Sequence, residues 1–118
     1  MTRVYGIKNC DSVKKAVSWL KDHNIEYDFF DVKTCGLTLT HLEQWREALG
    51  ADTLINKRST TWKQLSPEDQ ARVLQPQGLA IALANPTLIK RPLLEHKETI
   101  AVGFSDTQYQ AIFNLDSQ

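Results

Sequence analysis

A mixed α/β sheet of four strands, with helices on its faces and a helical insertion, is predicted by three features of the sequence. A β-α-β pattern opens the chain, a series of helix starts fills its middle, and a β-β-α pattern closes it. With 118 residues the chain is expected to be one domain, residues 1–118, with the insertion over about 38–86.

The first element follows from Val4-Tyr5-Gly6-Ile7, an apolar run that ends at the polar turn Lys8-Asn9-Cys10-Asp11 and predicts a strand over 3–7. Val13, Ala16, Val17 and Leu20 then recur at helical spacing, opposite Lys14, Lys15, Lys21 and Asp22, with Asp11 or Ser12 as the cap. Asn24 closes this helix, and Ile25 to Val32 mixes aromatic, β-branched and polar residues as a second strand does. A β-α-β unit makes these two strands parallel.

The insertion starts with Thr40 and Glu43, a capping-box spacing, followed by Leu42, Trp45, Ala48 and Leu49 and stopped by Gly50. Ser66-Pro67-Glu68-Asp69 marks a second helix start, and Gly78 to Ala84 a third helix that must end before Asn85-Pro86. Thr87-Leu88-Ile89 and Leu93-Leu94-Glu95 flank Lys90-Arg91-Pro92, and Thr99 to Val102 follows a polar turn around His96, predicting an antiparallel hairpin. Ser105 with Gln108 announces the last helix, which buries Tyr109, Ile112 and Phe113.

Composition narrows the function classes. Lys plus Arg and Asp plus Glu both number 14, so there is no electrostatic footprint for nucleic acid or anionic lipid. Two cysteines are too few for a disulfide framework, and His23, His41 and His96 lack metal-ligand spacing and read as surface residues. The amino terminus runs straight into a strand pattern without an apolar leader, so a cytoplasmic protein with no membrane partner is expected. No long apolar stripe is left over once the core faces are assigned, which makes a monomer the default.

Cys10 is the residue that carries chemistry. Between a strand end and a helix start, a sulfur lies near unpaired backbone N–H groups and the positive end of the helix dipole, both of which favour the nucleophilic thiolate. Lys8, Lys14 and Lys15 add positive potential if they face the sulfur, and Asp11 opposes them. The plainer alternative is a small buried hydrophobe.

The segment Tyr5-Gly6-Ile7-Lys8-Asn9-Cys10-Asp11-Ser12-Val13-Lys14-Lys15-Ala16 resembles the active-site segment of the arsenate-reductase-like (ArsC/Spx) family, in its YffB branch. Leu54 to Trp62, Ile89 to Leu94 and Val102 to Ser105 resemble further motifs of that branch, in the same order, so the resemblance spans nearly the whole chain. It implies a thioredoxin-like, glutaredoxin-type fold and a cysteine that attacks an oxidised substrate. It also implies glutathione or a glutaredoxin-type thiol as donor, with glutathione a co-substrate and no bound cofactor or metal. The same resemblance implies a cis bond between Arg91 and Pro92.

An anionic substrate needs cations, and the planar fork of Arg suits the task, so Arg91 and Arg58 are the candidates beside Lys8 and Asn9. Glutathione-dependent arsenate reductases use three arginines, and here two of those positions fall on Asn56 and Gly103, which argues against arsenate reduction. The residue three after Cys10 is Val13, so the C-x-x-C redox switch of the Spx regulators is absent. Cys35 lies a few residues past the second strand and is read as an ordinary loop thiol rather than a resolving one. The expected function is a glutathione-dependent thiol-disulfide reductase with one nucleophilic cysteine. The alternatives are a Spx-like regulatory binding module or a true arsenate reductase.

Overall fold

The computed structural model describes residues 2–113. In chain order the elements are β1 (Thr2–Gly6), α1 (Asp11–Asp22), β2 (Asp28–Asp31), α2 (Leu39–Leu49), α3 (Ala51–Leu54) and α4 (Thr60–Gln64). They continue with α5 (Pro67–Val73), α6 (Leu79–Ala84), β3 (Leu93–His96), β4 (Thr99–Val102) and α7 (Asp106–Phe113). Two compact units result. One takes in the chain up to Asp31 and again from Arg91; the other is Val32–Lys90.

The first unit holds the sheet, in the order β2-β1-β3-β4. β1 pairs with β2 in parallel and with β3 antiparallel, and β3 pairs with β4 antiparallel. With α1 crossing between the parallel strands and α7 following the hairpin, this is the thioredoxin-like arrangement. The registers Val4↔Phe29, Val4↔Leu94 and Leu94↔Ala101 set one row of side chains across the sheet. Onto this face pack Ala16, Trp19 and Leu20 of α1 and Tyr109 of α7, all buried. Cutting such a residue to alanine typically costs about 2–5 kcal/mol for a leucine, because the neighbours refill the space only in part. Trp19 also donates from Nε1 to Asp106 Oδ1 at 2.6 Å, fastening α1 to the first residue of α7.

The second unit is all helical apart from one bridge, Ile55 to Ile89. Its buried residues include Leu42 and Trp45 of α2, Leu54, Val73, Leu79 and Ala82. Arg46 donates from Nη2 to the Leu74 carbonyl at 3.1 Å and Gln70 from Nε2 to the Trp62 carbonyl at 2.9 Å, so polar side chains tie neighbouring helix ends together.

Several local expectations shift. α2 starts earlier than the Thr40–Glu43 spacing predicted: Thr38 is the N-cap and His41 closes the box, its Nδ1 accepting from Thr38 N at 3.1 Å. β2 covers four residues rather than eight. Thr87-Leu88-Ile89 is no strand, because Pro86 opens a 3-10 turn over Pro86–Leu88. His96 is a half-buried strand residue rather than a turn residue, and His41 is a capping residue. The cap of α1 is neither Asp11 nor Ser12 but Cys10.

Candidate active site

Cys10 owes its place to a tight turn. Its amide donates to the Ile7 carbonyl at 3.1 Å, and its own carbonyl accepts the first helical bond from Lys14 N at 3.0 Å. The residue is thus the N-cap of α1, in extended conformation with φ −86° and ψ 126°. Most N-caps put a side-chain oxygen on the first-turn amides. Here the cap side chain ends in sulfur and makes no cap hydrogen bond, so the first-turn N–H groups of a 12-residue helix are left without a side-chain oxygen on them. The thiol itself is half-buried at this helix start.

Gly6 sets the distance between β1 and α1. A Cβ there would fall 2.6 Å from Val13 Cγ2, so the strand end and the helix start touch just where the chain turns to Cys10. In the sequence Gly6 stands only as part of the strand run and of the segment that carries the family resemblance. Its one signal is a glycine inside an apolar strand pattern, which marks close backbone approach.

The strand register brings Arg91 and Pro92 to the same end of the sheet. Leu93 pairs with Tyr5, so Pro92 follows alongside Gly6 and Arg91 alongside the turn that leads to Cys10. The Arg91–Pro92 bond is cis, and the Pro92 carbonyl accepts from Gly103 N at 2.9 Å, which extends the β3–β4 ladder. Lys8, Asn9, Cys10, Arg91 and Pro92 therefore share one unit and one sheet end, Lys8 and Asn9 being exposed and Pro92 buried.

Arg58 belongs to the helical unit. It is exposed, and its amide donates to Asn56 Oδ1 at 3.0 Å inside the turn that leads to Ser59, the N-cap of α4. Its neighbour Lys57 is taken up by Asp52 at 2.8 Å, which holds the Asp52 carboxyl below its ordinary value. Cys35 lies in the same unit, in the loop before α2, and neither it nor Cys10 forms a disulfide.

Asn56 and Gly103 are each held in place by the backbone around them. Asn56 supplies the carbonyl oxygen that closes the turn at Arg58. Gly103 sits at φ +79°, where a side chain is strained. Among the described residues there is no group of three metal-ligating side chains, and no helix is long and apolar enough to cross a membrane.

Residues 5–112 match the ArsC family. The chain belongs to this family. An uncharacterized protein of Haemophilus influenzae is 46% identical over 113 residues, spanning 96% of this chain and 99% of its own. The global transcriptional regulator Spx of Staphylococcus saprophyticus is 28% identical over 110 residues, covering 92% of this chain and 83% of that one. Among solved structures, the YFFB protein superposes with a TM-score of 0.88 at 38% identity, over 94% of this chain and 97% of that one. An arsenate reductase (ArsC) related protein from Brucella melitensis superposes with a TM-score of 0.73 at 38% identity, over 95% and 93%. The likeness to YFFB puts the chain in the YffB branch of the ArsC family. Unlike a C-x-x-C protein, this ArsC-family chain has Val13, buried against Gly6, three residues after its cysteine.

Proposed function

We propose that the chain is a thiol-disulfide reductase that works through Cys10 alone, with glutathione or a glutaredoxin-type thiol as electron donor. The observation that carries this reading is the thiol's position as an uncapped N-cap of α1, at the sheet end where Arg91 and cis Pro92 lie. The Cys10 thiolate attacks one sulfur of a disulfide; a new S–S bond forms as the old one breaks, and the leaving thiolate departs with its electron pair. A second thiolate, from the donor, attacks the Cys10 mixed disulfide and frees Cys10 again. Each turnover consumes one donor thiol and releases one substrate thiol, the other substrate sulfur leaving in a disulfide with the donor. Arg91, with Lys8 and Asn9 near the turn, holds the anionic part of the substrate or donor, and Arg58 is a separate anion-binding candidate within the helical unit. Two vacated arginine positions, Asn56 and Gly103, make arsenate a poor substrate.

Incubation with oxidised glutathione followed by peptide mass spectrometry tests the reading. A single glutathione adduct on Cys10, discharged by reduced glutathione, is expected; Cys10→Ser abolishes it and Cys35→Ser does not. A chain that takes no adduct and turns over no disulfide is not a reductase. That outcome would favour a regulatory binding module, a role that the Spx relative makes the natural second reading.

A further inference from the structure

The sheet unit has a hollow of about 250 Å3, lined by Lys8, Val13, Lys14, Val17, Tyr27 and Phe29. Val13 and Lys14 stand three and four residues after Cys10, the spacing that makes side chains neighbours on a helix, and Lys8 lies two residues before it. Phe29 in β2 and Tyr27 two residues earlier share a face, while Asp28 between them alternates to the other. The walls are thus aliphatic and aromatic. Polar character enters at the rim, where Lys8 and Lys14 are exposed and neither joins an ion pair among the described residues. Asp11, exposed on the first turn of α1, is the nearest acid in sequence.

Size and lining together select an occupant. The space is smaller than the roughly 300–1,000 Å3 of a small-molecule pocket and matches a side chain. Apolar walls give nothing to an oxyanion, nor to glutathione, which has no apolar side chain. They favour a branched or aromatic group, and the two lysines favour a carboxylate beside it.

We propose that this hollow recognises a peptide segment, an apolar side chain entering it while an adjacent acidic side chain meets Lys8 and Lys14, so that the substrates are glutathione mixed disulfides of protein cysteines. The proposal rests on the thiol-reductase reading above. In the step it assigns, Cys10 thiolate attacks the glutathione sulfur, the peptide thiolate leaves with the electron pair and is protonated from water, and Cys10 carries glutathione. A second glutathione thiolate then attacks that bond, yielding oxidised glutathione and free Cys10.

The test compares three substrates with glutathione as donor: a glutathionylated peptide with Phe-Asp next to the modified cysteine, the same peptide with Ser-Asn there, and the small mixed disulfide of cysteine and glutathione. The Phe-Asp peptide is expected to react with about tenfold higher kcat/KM than the Ser-Asn peptide. Val17→Phe, which fills the hollow, should erase that preference and leave turnover of the small disulfide unchanged. Equal rates for the two peptides on the unsubstituted protein, or a preference that survives Val17→Phe in a folded variant, would overturn the subsite alone. Absence of turnover on all three substrates would overturn the reductase reading and the subsite with it.

Discussion

Gly6 and Val13 meet so closely that a methyl group on Gly6 would stand 2.6 Å from Val13 Cγ2 and 3.2 Å from Cγ1. Val13 cannot swing aside: it is β-branched, in a helix and 2% exposed. Gly6→Ala must therefore push the first turn of α1 outward, and Cys10 moves with it. The expected result is a loss of about 1–3 kcal/mol of stability together with slower alkylation of Cys10 relative to Cys35. Urea unfolding and mass spectrometry of iodoacetamide-treated protein measure the two effects. A variant as stable as the parent, with unchanged Cys10 reactivity, would show that the contact positions nothing.

Gly78 is constrained by backbone instead of a side chain. A Cβ there would lie 1.8 Å from the Arg72 carbonyl oxygen and 2.4 Å from its carbon, inside the last turn of α5. Neither atom moves without unwinding that turn. Gly78→Ala is expected to cost about 3 kcal/mol or more, at the upper end of overpacking penalties. Urea unfolding followed by the fluorescence of Trp45 and Trp62 in the same unit reads the loss, and a cost under about 1 kcal/mol would contradict it.

The parts of the fold that sequence made legible are those with a local physical signature. Helix α1 follows from apolar spacing, α5 from Ser66-Pro67, and α7 from Ser105, whose Oγ accepts from Gln108 N at 3.1 Å. Cys10 at the mouth of α1 followed from the same logic. The start of α2 was misplaced because Thr38–His41 and Thr40–Glu43 both have a cap's spacing, and only the fold decides between them. Helices α3 and α4, of four and five residues, are too short for any periodicity to register. Leu88 and Ile89, both fully buried, look the same in sequence whether a strand or a turn buries them. The hollow by α1 was hidden for a related reason: Tyr27 and Phe29 read as strand residues, and nothing local says that their outer edge stays open.

Tyr109 is fully buried among Trp19, Phe104 and Phe113, yet its hydroxyl has no hydrogen-bond partner among the described residues. Burial pushes its phenol above the ordinary range, so the neutral form is the one the fold holds. The unpaired O–H loses its water without replacement. Tyr109→Phe keeps the ring contacts and removes that loss, so stability is expected to be unchanged or higher by up to about 1 kcal/mol. The raised value also means that the parent loses stability as pH rises above the ordinary tyrosine value of about 10, a loss smaller in the variant. Melting temperatures near neutral pH and at high pH check both; a melting temperature several degrees lower at neutral pH would show that the hydroxyl is bonded after all.

His96 gives the fold an acid-sensitive joint. Its Nδ1 is 2.8 Å from Thr2 Oγ1, and its ring lies 4.4 Å from that of Phe113 on α7. Desolvation by burial, then the neighbouring Lys97 charge, holds its pKa below the ordinary value. The unfolded chain therefore binds the proton at a higher pH than the folded chain does, and stability rises with pH wherever that difference exists. The contribution is complete above the unfolded value of about 6.5 and is lost as pH falls from there to the folded value. Urea midpoints taken from about pH 7.5 down to about pH 5 should fall, and His96→Gln, which carries no titrating proton, should flatten the profile. An equally steep profile in His96→Gln would assign the acid sensitivity to other groups.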